Sequence, residues 1–204
     1  MNNLLFDGSA DADVTIALAH GAGAPMDTPF MQAFAKGLAG HGFRVVRFEF
    51  PYMAERRENG KKRPPNGAGI LLDTWTSVID ELGADNLVIG GKSMGGRIAS
   101  MVADDAGVKG LVCLGYPFHP PGKPEKLRVD HLLHLKTPAL FLQGERDSLG
   151  NREDVSGYNL SSAIKLHWLG DGDHGFKPRK KSGRTEQQNL DEAISRLADF
   201  VTAL

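Results

Sequence analysis

Six short apolar runs, each bounded by turn residues, recur along the chain at 14–19, 43–50, 87–91, 110–114, 139–143 and 163–169. Most segments between them carry helical spacing. In 29–41, Phe30, Phe34 and Leu38 stand four apart. In 69–82, Ile70, Leu71, Trp75, Val78, Ile79 and Leu82 form one stripe. The last segment places Leu190, Ile194, Leu197, Val201 and Leu204 in a three–four alternation. Strands alternating with helices predict a mostly parallel sheet covered on both faces. The expectation is an α/β protein, a three-layer αβα sandwich of about six to seven strands, forming a single domain over 1–204. About two dozen residues separate the fourth and fifth runs, too few for a cap domain, so the site should be open. Such sheets build their sites beyond the C-terminal ends of the strands. The residues that follow each run are therefore the ones to read for chemistry.

The third run stops at Gly90-Gly91, and Lys92-Ser93-Met94-Gly95-Gly96 follows before a helical segment. Gly91 to Gly95 fits G-x-S-x-G, a strand–turn–helix elbow with Ser93 at its tip. The turn is too tight for Cβ atoms on both sides of the serine, which is why glycines flank it. Gly-Lys-Ser also ends the phosphate-binding loop G-x-x-x-x-G-K-[ST]. Here Asn86 stands where the first glycine would be, and 87–90 reads as strand, so that loop is unlike this one. Lys92 would help to fix the turn. Taken alone, the pentapeptide could still be a surface turn.

The other run ends supply what a serine nucleophile needs. After the first run, His20-Gly21-Ala22-Gly23-Ala24-Pro25 suits a loop whose backbone N–H faces a developing oxyanion. Ala22 is the favoured donor, with Gly23 close behind and the N–H of Met94 as the second donor. His20 would pin this loop, and an ordinary glycine-rich turn is the alternative. After the fourth run, 115–121 holds no carboxylate, and Phe118 could line an acyl pocket. After the fifth comes Gly144-Glu145-Arg146-Asp147, and after the sixth Gly170-Asp171-Gly172-Asp173-His174. His174 alone among the seven histidines follows a strand in a loop downstream of such an acid. Asp171 and Asp173 read as turn-shaping residues. The order Ser93, Asp147, His174 is that of nucleophile, acid and base in α/β-hydrolases. His174 would take the Ser93 proton, and Asp147 would hold the imidazole.

These residues carry a resemblance. The chain resembles lidless α/β-hydrolases throughout its length. More narrowly, it is similar to the small predicted hydrolase family related to testis-expressed protein 30 and NSL-complex subunit 3. The motifs are 20–24, Phe50-Pro51-Tyr52, 91–97, 115–123, 143–147 and Asp173-His174. The resemblance implies the α/β-hydrolase fold, the triad on Ser93, Asp147 and His174, and neither metal nor organic cofactor. Some relatives resemble non-catalytic complex subunits. Dienelactone hydrolases are more distantly similar and use cysteine where this chain has Ser93.

Composition narrows the setting. The 204 residues are 41% hydrophobic and 24% charged, as in an ordinary globular protein large enough for one substantial core. A net charge of −1 leaves no global footprint for nucleic acid or a membrane surface. Cys113 is the one cysteine, so no internal disulfide forms, which fits a reducing compartment. No charged segment precedes a long apolar stretch at the N-terminus, and no run is long enough to span a bilayer. A cytoplasmic protein is the expectation.

Charge is nonetheless uneven. Arg56, Arg57, Lys61, Lys62 and Arg63 fall in 51–66, read as a loop, and Lys177, Arg179, Lys180, Lys181 and Arg184 follow His174. Both clusters follow strands whose ends should share the Ser93 edge. Arg56, Lys62 and Lys180 would form a positive rim that attracts an anionic acyl substrate, with solvated surface charge as the alternative. The first function to weigh is a serine esterase or thioesterase acting on a small or medium acyl substrate. The other is an interaction module that keeps the fold with little or no turnover.

Overall fold

Alternation along each strand divides the apolar residues between two faces, and the computed structural model, which describes residues 3–204, packs a separate core on each. The strands are β1 (Leu4–Asp7), β2 (Thr15–Ala19), β3 (Arg44–Phe48), β4 (Leu87–Lys92), β5 (Gly110–Leu114), β6 (Ala139–Gly144) and β7 (Ile164–Leu169). The helices are α1 (Pro29–Gly40), α2 (Pro51–Asn59), α3 (Ala68–Leu82), α4 (Met94–Ala106), α5 (Arg152–Ser156) and α6 (Glu186–Thr202). The strands form one sheet in the order β1-β3-β2-β4-β5-β6-β7, with only β1 antiparallel to its neighbour. Ile16, Leu18, Val88, Val112, Leu114, Leu140 and Leu142 face α1 and α6. Ala17, Ala19, Leu87, Ile89, Leu111, Cys113, Ala139 and Phe141 face the other way, toward α3 and α4. Period-two alternation within fully buried strands thus assigns one set of side chains to each outer layer.

Strand order reverses around β2. From β2 the chain moves outward to β3, then returns across β2 to place β4 on its other side. The C-terminal ends of β2 and β4 are therefore adjacent at the switch point, where this architecture opens a crevice. Trp75 on α3 braces that point from below. It is fully buried, meets Phe48 edge-on at 4.7 Å, and donates from Nε1 to the Gly95 carbonyl at 3.3 Å.

Two elements depart from the sequence expectation. β1 is an added edge strand, registered with Leu4 opposite Phe48 and Asp7 opposite Val45. It is short, and only one of its edges is paired, so no long apolar run marks it. Residues 51–59, read as loop, form helix α2. Pro51 starts the helix at its first position, where a missing N–H costs nothing. Only Tyr52 and Met53 are buried, so α2 lacks the apolar stripe that betrays a helix in sequence.

Candidate active site

Ser93 stands between the last residue of β4 and the first of α4, at φ 51° and ψ −115°. Side chains rarely adopt this left-handed conformation, so the surroundings must hold it. The Ser93 N–H donates to the Leu114 carbonyl at 3.0 Å, and the Arg97 N–H donates to the Ser93 carbonyl at 3.0 Å. The glycine beyond it is a packing requirement. A Cβ on Gly95 would lie 2.5 Å from the Ala19 carbonyl oxygen and 2.7 Å from that of His20. Any side chain there would push α4 off β2 and shift the serine.

His174 joins the three predicted residues. Its Nε2 lies 2.9 Å from Ser93 Oγ and its Nδ1 lies 2.7 Å from Asp147 Oδ2. A carboxylate accepts only, so Nδ1 carries the proton and Nε2 is free to accept from the serine hydroxyl. Asp147 is fully buried, while 30% of the His174 side-chain surface stays open toward the site. The buried carboxylate is held on every side. Its Oδ1 accepts the Leu149 N–H at 2.9 Å, and its Oδ2 also accepts from Gln143 Nε2 at 2.9 Å. Gln143 is itself fixed, accepting the Tyr116 N–H at 2.8 Å and donating to the Gly150 carbonyl at 3.0 Å. Sequence reading passed over Gln143. The available signal was an amide near the end of an otherwise apolar strand, four residues before the acid.

The loop after β2 is fixed by the same logic. His20 is fully buried, accepts the Phe50 N–H on Nε2 at 3.1 Å, and therefore donates from Nδ1 to the Gly21 carbonyl at 2.7 Å. Burial pulls its pKa below the usual imidazole value, in keeping with a neutral ring. Tyr52 donates to the Ala22 carbonyl at 2.9 Å, and Arg56 donates to the Gly23 carbonyl at 3.3 Å. Burial raises the Tyr52 phenol to about 12, so it stays a donor. Among the described residues every peptide bond is trans, so drawing the Gly21 carbonyl toward His20 turns the Ala22 N–H away from that ring. The loop abuts the serine, since a Cβ on Gly21 would lie 3.6 Å from Ser93 Cβ. Met94 opens α4, so its N–H has no carbonyl one turn earlier in the helix. Asp173 shapes the loop after β7 that carries His174, accepting the Gly175 N–H at 2.8 Å and the Lys177 N–H at 3.0 Å.

A cavity of about 400 Å³ opens beside Ser93 and His174. Its walls include Ala22, Pro25, Phe30 and Met31, and the one lysine or arginine lining it is Lys92. Phe118, expected at an acyl pocket, is absent from it. That ring is fully buried beneath the Asp147 loop, 4.9 Å from Tyr116 and 5.7 Å from Tyr158, so it is a core residue. Arg56, Lys62 and Lys180 do not line the cavity either. Arg56 reaches only the outer end of the loop after β2, while Lys62 and Lys180 are exposed. Five of the ten cations in the two clusters, Arg57, Arg63, Lys177, Arg179 and Arg184, form ion pairs with carboxylates. Among the described residues, no group of three or more His, Cys, Asp or Glu could hold a metal ion. No helix of the described residues is long and apolar enough to cross a membrane.

The same architecture recurs in solved structures. An alpha-beta serine hydrolase homologue from Coxiella burnetii aligns over 96% of this chain and 89% of its own, with 21% identity and a TM-score of 0.70. A serine hydrolase without a lid from Xanthomonas campestris aligns over 98% and 88%, with 19% identity and a TM-score of 0.70. A dienelactone hydrolase from Anabaena variabilis aligns over 98% and 90%, with 19% identity and a TM-score of 0.75. At such identities the likeness speaks for the fold. The family model of the alpha/beta hydrolase domain matches residues 12–202, nearly the whole sequence, and the chain belongs to that family.

Proposed function

We propose that this protein is a serine hydrolase that cleaves a small or medium acyl ester or thioester through Ser93, His174 and Asp147. The observation that carries the reading is the bridging imidazole, 2.7 Å from a buried carboxylate and 2.9 Å from a hydroxyl on a strained elbow. Ser93 Oγ attacks the acyl carbonyl carbon while its proton passes to His174 Nε2. Asp147 stabilises the imidazolium. The carbonyl oxygen, now negative, takes the N–H groups of Ala22 and Met94, each worth about 3 kcal/mol in such sites. The tetrahedral adduct collapses, His174 returns the proton to the leaving oxygen or sulfur, and the acyl group stays on Ser93. Water, deprotonated by His174, then hydrolyses the acyl-enzyme. The cavity walls are apolar at Pro25, Phe30 and Met31, which suits an acyl chain of modest length. The buried thiol of Cys113 fits a reducing, cytoplasmic setting. The narrower kinship with the testis-expressed protein 30 and NSL-complex subunit 3 group rests on the sequence motifs, 91–97 above all.

The test is turnover of p-nitrophenyl esters and acyl thioesters of graded chain length by wild type and Ser93→Ala. Wild-type hydrolysis that the variant abolishes supports the reading. A folded wild type that hydrolyses none of them leaves the fold as an interaction module.

A further inference from the structure

The cavity beside Ser93 contains a charge with an unusual set of partners. Lys92 is the residue immediately before the nucleophile, and its Nζ donates to the backbone carbonyl of His174 at 2.5 Å. The ammonium also lies 5.5 Å from the centre of the Phe30 ring and 5.8 Å from that of Phe176, and these two rings lie 5.4 Å apart. A carbonyl and two aromatic faces are the partners a desolvated cation needs. No carboxylate comes within 4 Å among the described residues. Two backbone features make room for this arrangement. Gly115, at φ 68° after β5, leaves open a point 2.7 Å from Lys92 Nζ and 3.0 Å from the His174 carbonyl oxygen. Phe176 holds φ 69°, a costly conformation for an aromatic residue, while its ring packs beside the ammonium.

We infer that Lys92 is a positioning residue of the active site, tying the backbone of His174 to the strand that carries Ser93 and setting a positive charge beside the imidazole. This rests on the serine-hydrolase reading above. His174 Cε1 lies 3.4 Å from the same Gly115 point, so ammonium and imidazole are within about 6 Å of each other. The groups that face Lys92 are few. Asp147 from the loop after β6 and Asp173 from the loop after β7 both attract it, α1 presents Phe30, and β5 presents Gly115. Burial outweighs both carboxylates and lowers the Lys92 ammonium to about 8. A group whose charged form is disfavoured by folding costs stability while it stays charged. A purely structural role would be better served by methionine.

The experiment compares wild type, Lys92→Met and Lys92→Arg in three readouts: fluorophosphonate labelling, the pH profile of kcat/KM on p-nitrophenyl butyrate, and Tm. Methionine keeps the length of the stem and removes charge and donor. It should lower kcat about 10–100-fold with KM changed less than about threefold, because the base is displaced while the cavity keeps its shape. Tm should equal or exceed that of wild type. Arginine should restore part of the lost kcat and flatten any alkaline fall near pH 8, since guanidinium keeps both a donor and its charge. A Lys92→Met protein with wild-type kcat overturns the inference and leaves the hydrolase reading standing. Loss of Tm in parallel with activity, unrescued by arginine, makes Lys92 a structural prop and overturns it too. A wild type that neither labels nor turns over removes both readings together.

Discussion

Two histidines follow parallel strands at one edge of this sheet, both with both ring nitrogens bonded, and they are held for opposite purposes. His20, after β2, donates to a backbone carbonyl and accepts a backbone N–H, fully buried. His174, after β7, bridges a carboxylate and a hydroxyl with its side chain 30% open. A neutral amide on each side leaves the first ring no reason to take a proton, and burial penalises it for doing so. A buried carboxylate behind the second gives it a counter-charge for the proton it would receive from Ser93. The same imidazole at the same edge is a hinge pin in one place and, in the proposed reaction, the base in the other. The difference lies in the partner at Nδ1.

Asp147→Asn breaks that difference most sharply, since the amide can donate to His174 and reverse its tautomer. It should lower kcat about 10³–10⁴-fold in steady-state assays, with fluorophosphonate labelling slowed in step. His20→Ala should act by another route. It orphans the Phe50 N–H and the Gly21 carbonyl, at a cost of about 1–3 kcal/mol in denaturant unfolding. It also loosens the Ala22 N–H, so kcat should fall about 10–100-fold. A loss in His20→Ala as large as that in Asp147→Asn, or an Asp147→Asn protein with wild-type kcat, would erase the contrast.

The pinning histidine also carries a pH signature. Its folded pKa is depressed, so below the unfolded value of about 6.5 the unfolded chain binds a proton that the folded chain refuses. Its contribution is complete above that value and is lost as pH falls toward the folded pKa, with a slope of at most about 1.4 kcal/mol per unit. Unfolding curves between pH 7 and 5 should therefore be steeper in pH for wild type than for His20→Asn. The smallest effect concerns the outer charges. Lys62→Glu with Lys180→Glu should change kcat/KM for anionic esters less than about threefold, and less still at high salt, because neither residue lines the cavity.

What could be read from the sequence follows physical range. Buried parallel strands advertise themselves as apolar runs, and 110–114 was legible to the residue. Each run end then pointed to the loops that the fold brings together around Ser93, because this architecture gathers its loops at strand C-termini. The elbow, Asp147 and His174 were visible because their local spacing carries chemistry. β1 and α2 were not, one being a short edge and the other nearly all polar on its exposed side. Phe118 misled because an aromatic in a proline-rich loop looks exposed, while only the fold shows it tucked against Tyr116 and Tyr158. Gln143 and the reach of Lys92 to His174, 82 residues away, depend on tertiary contacts that no local pattern encodes.

The central claim is that the bridging geometry makes Ser93 a nucleophile and leaves His20 out of the proton transfer. The most direct measurement is intact-protein mass spectrometry after exposure to a fluorophosphonate, followed by peptide mapping. One adduct should appear on wild type, located at Ser93. The adduct should be lost in Ser93→Ala and His174→Ala and should form, more slowly, in His20→Ala. Modification elsewhere, or an unlabelled wild type that remains folded, would contradict the account.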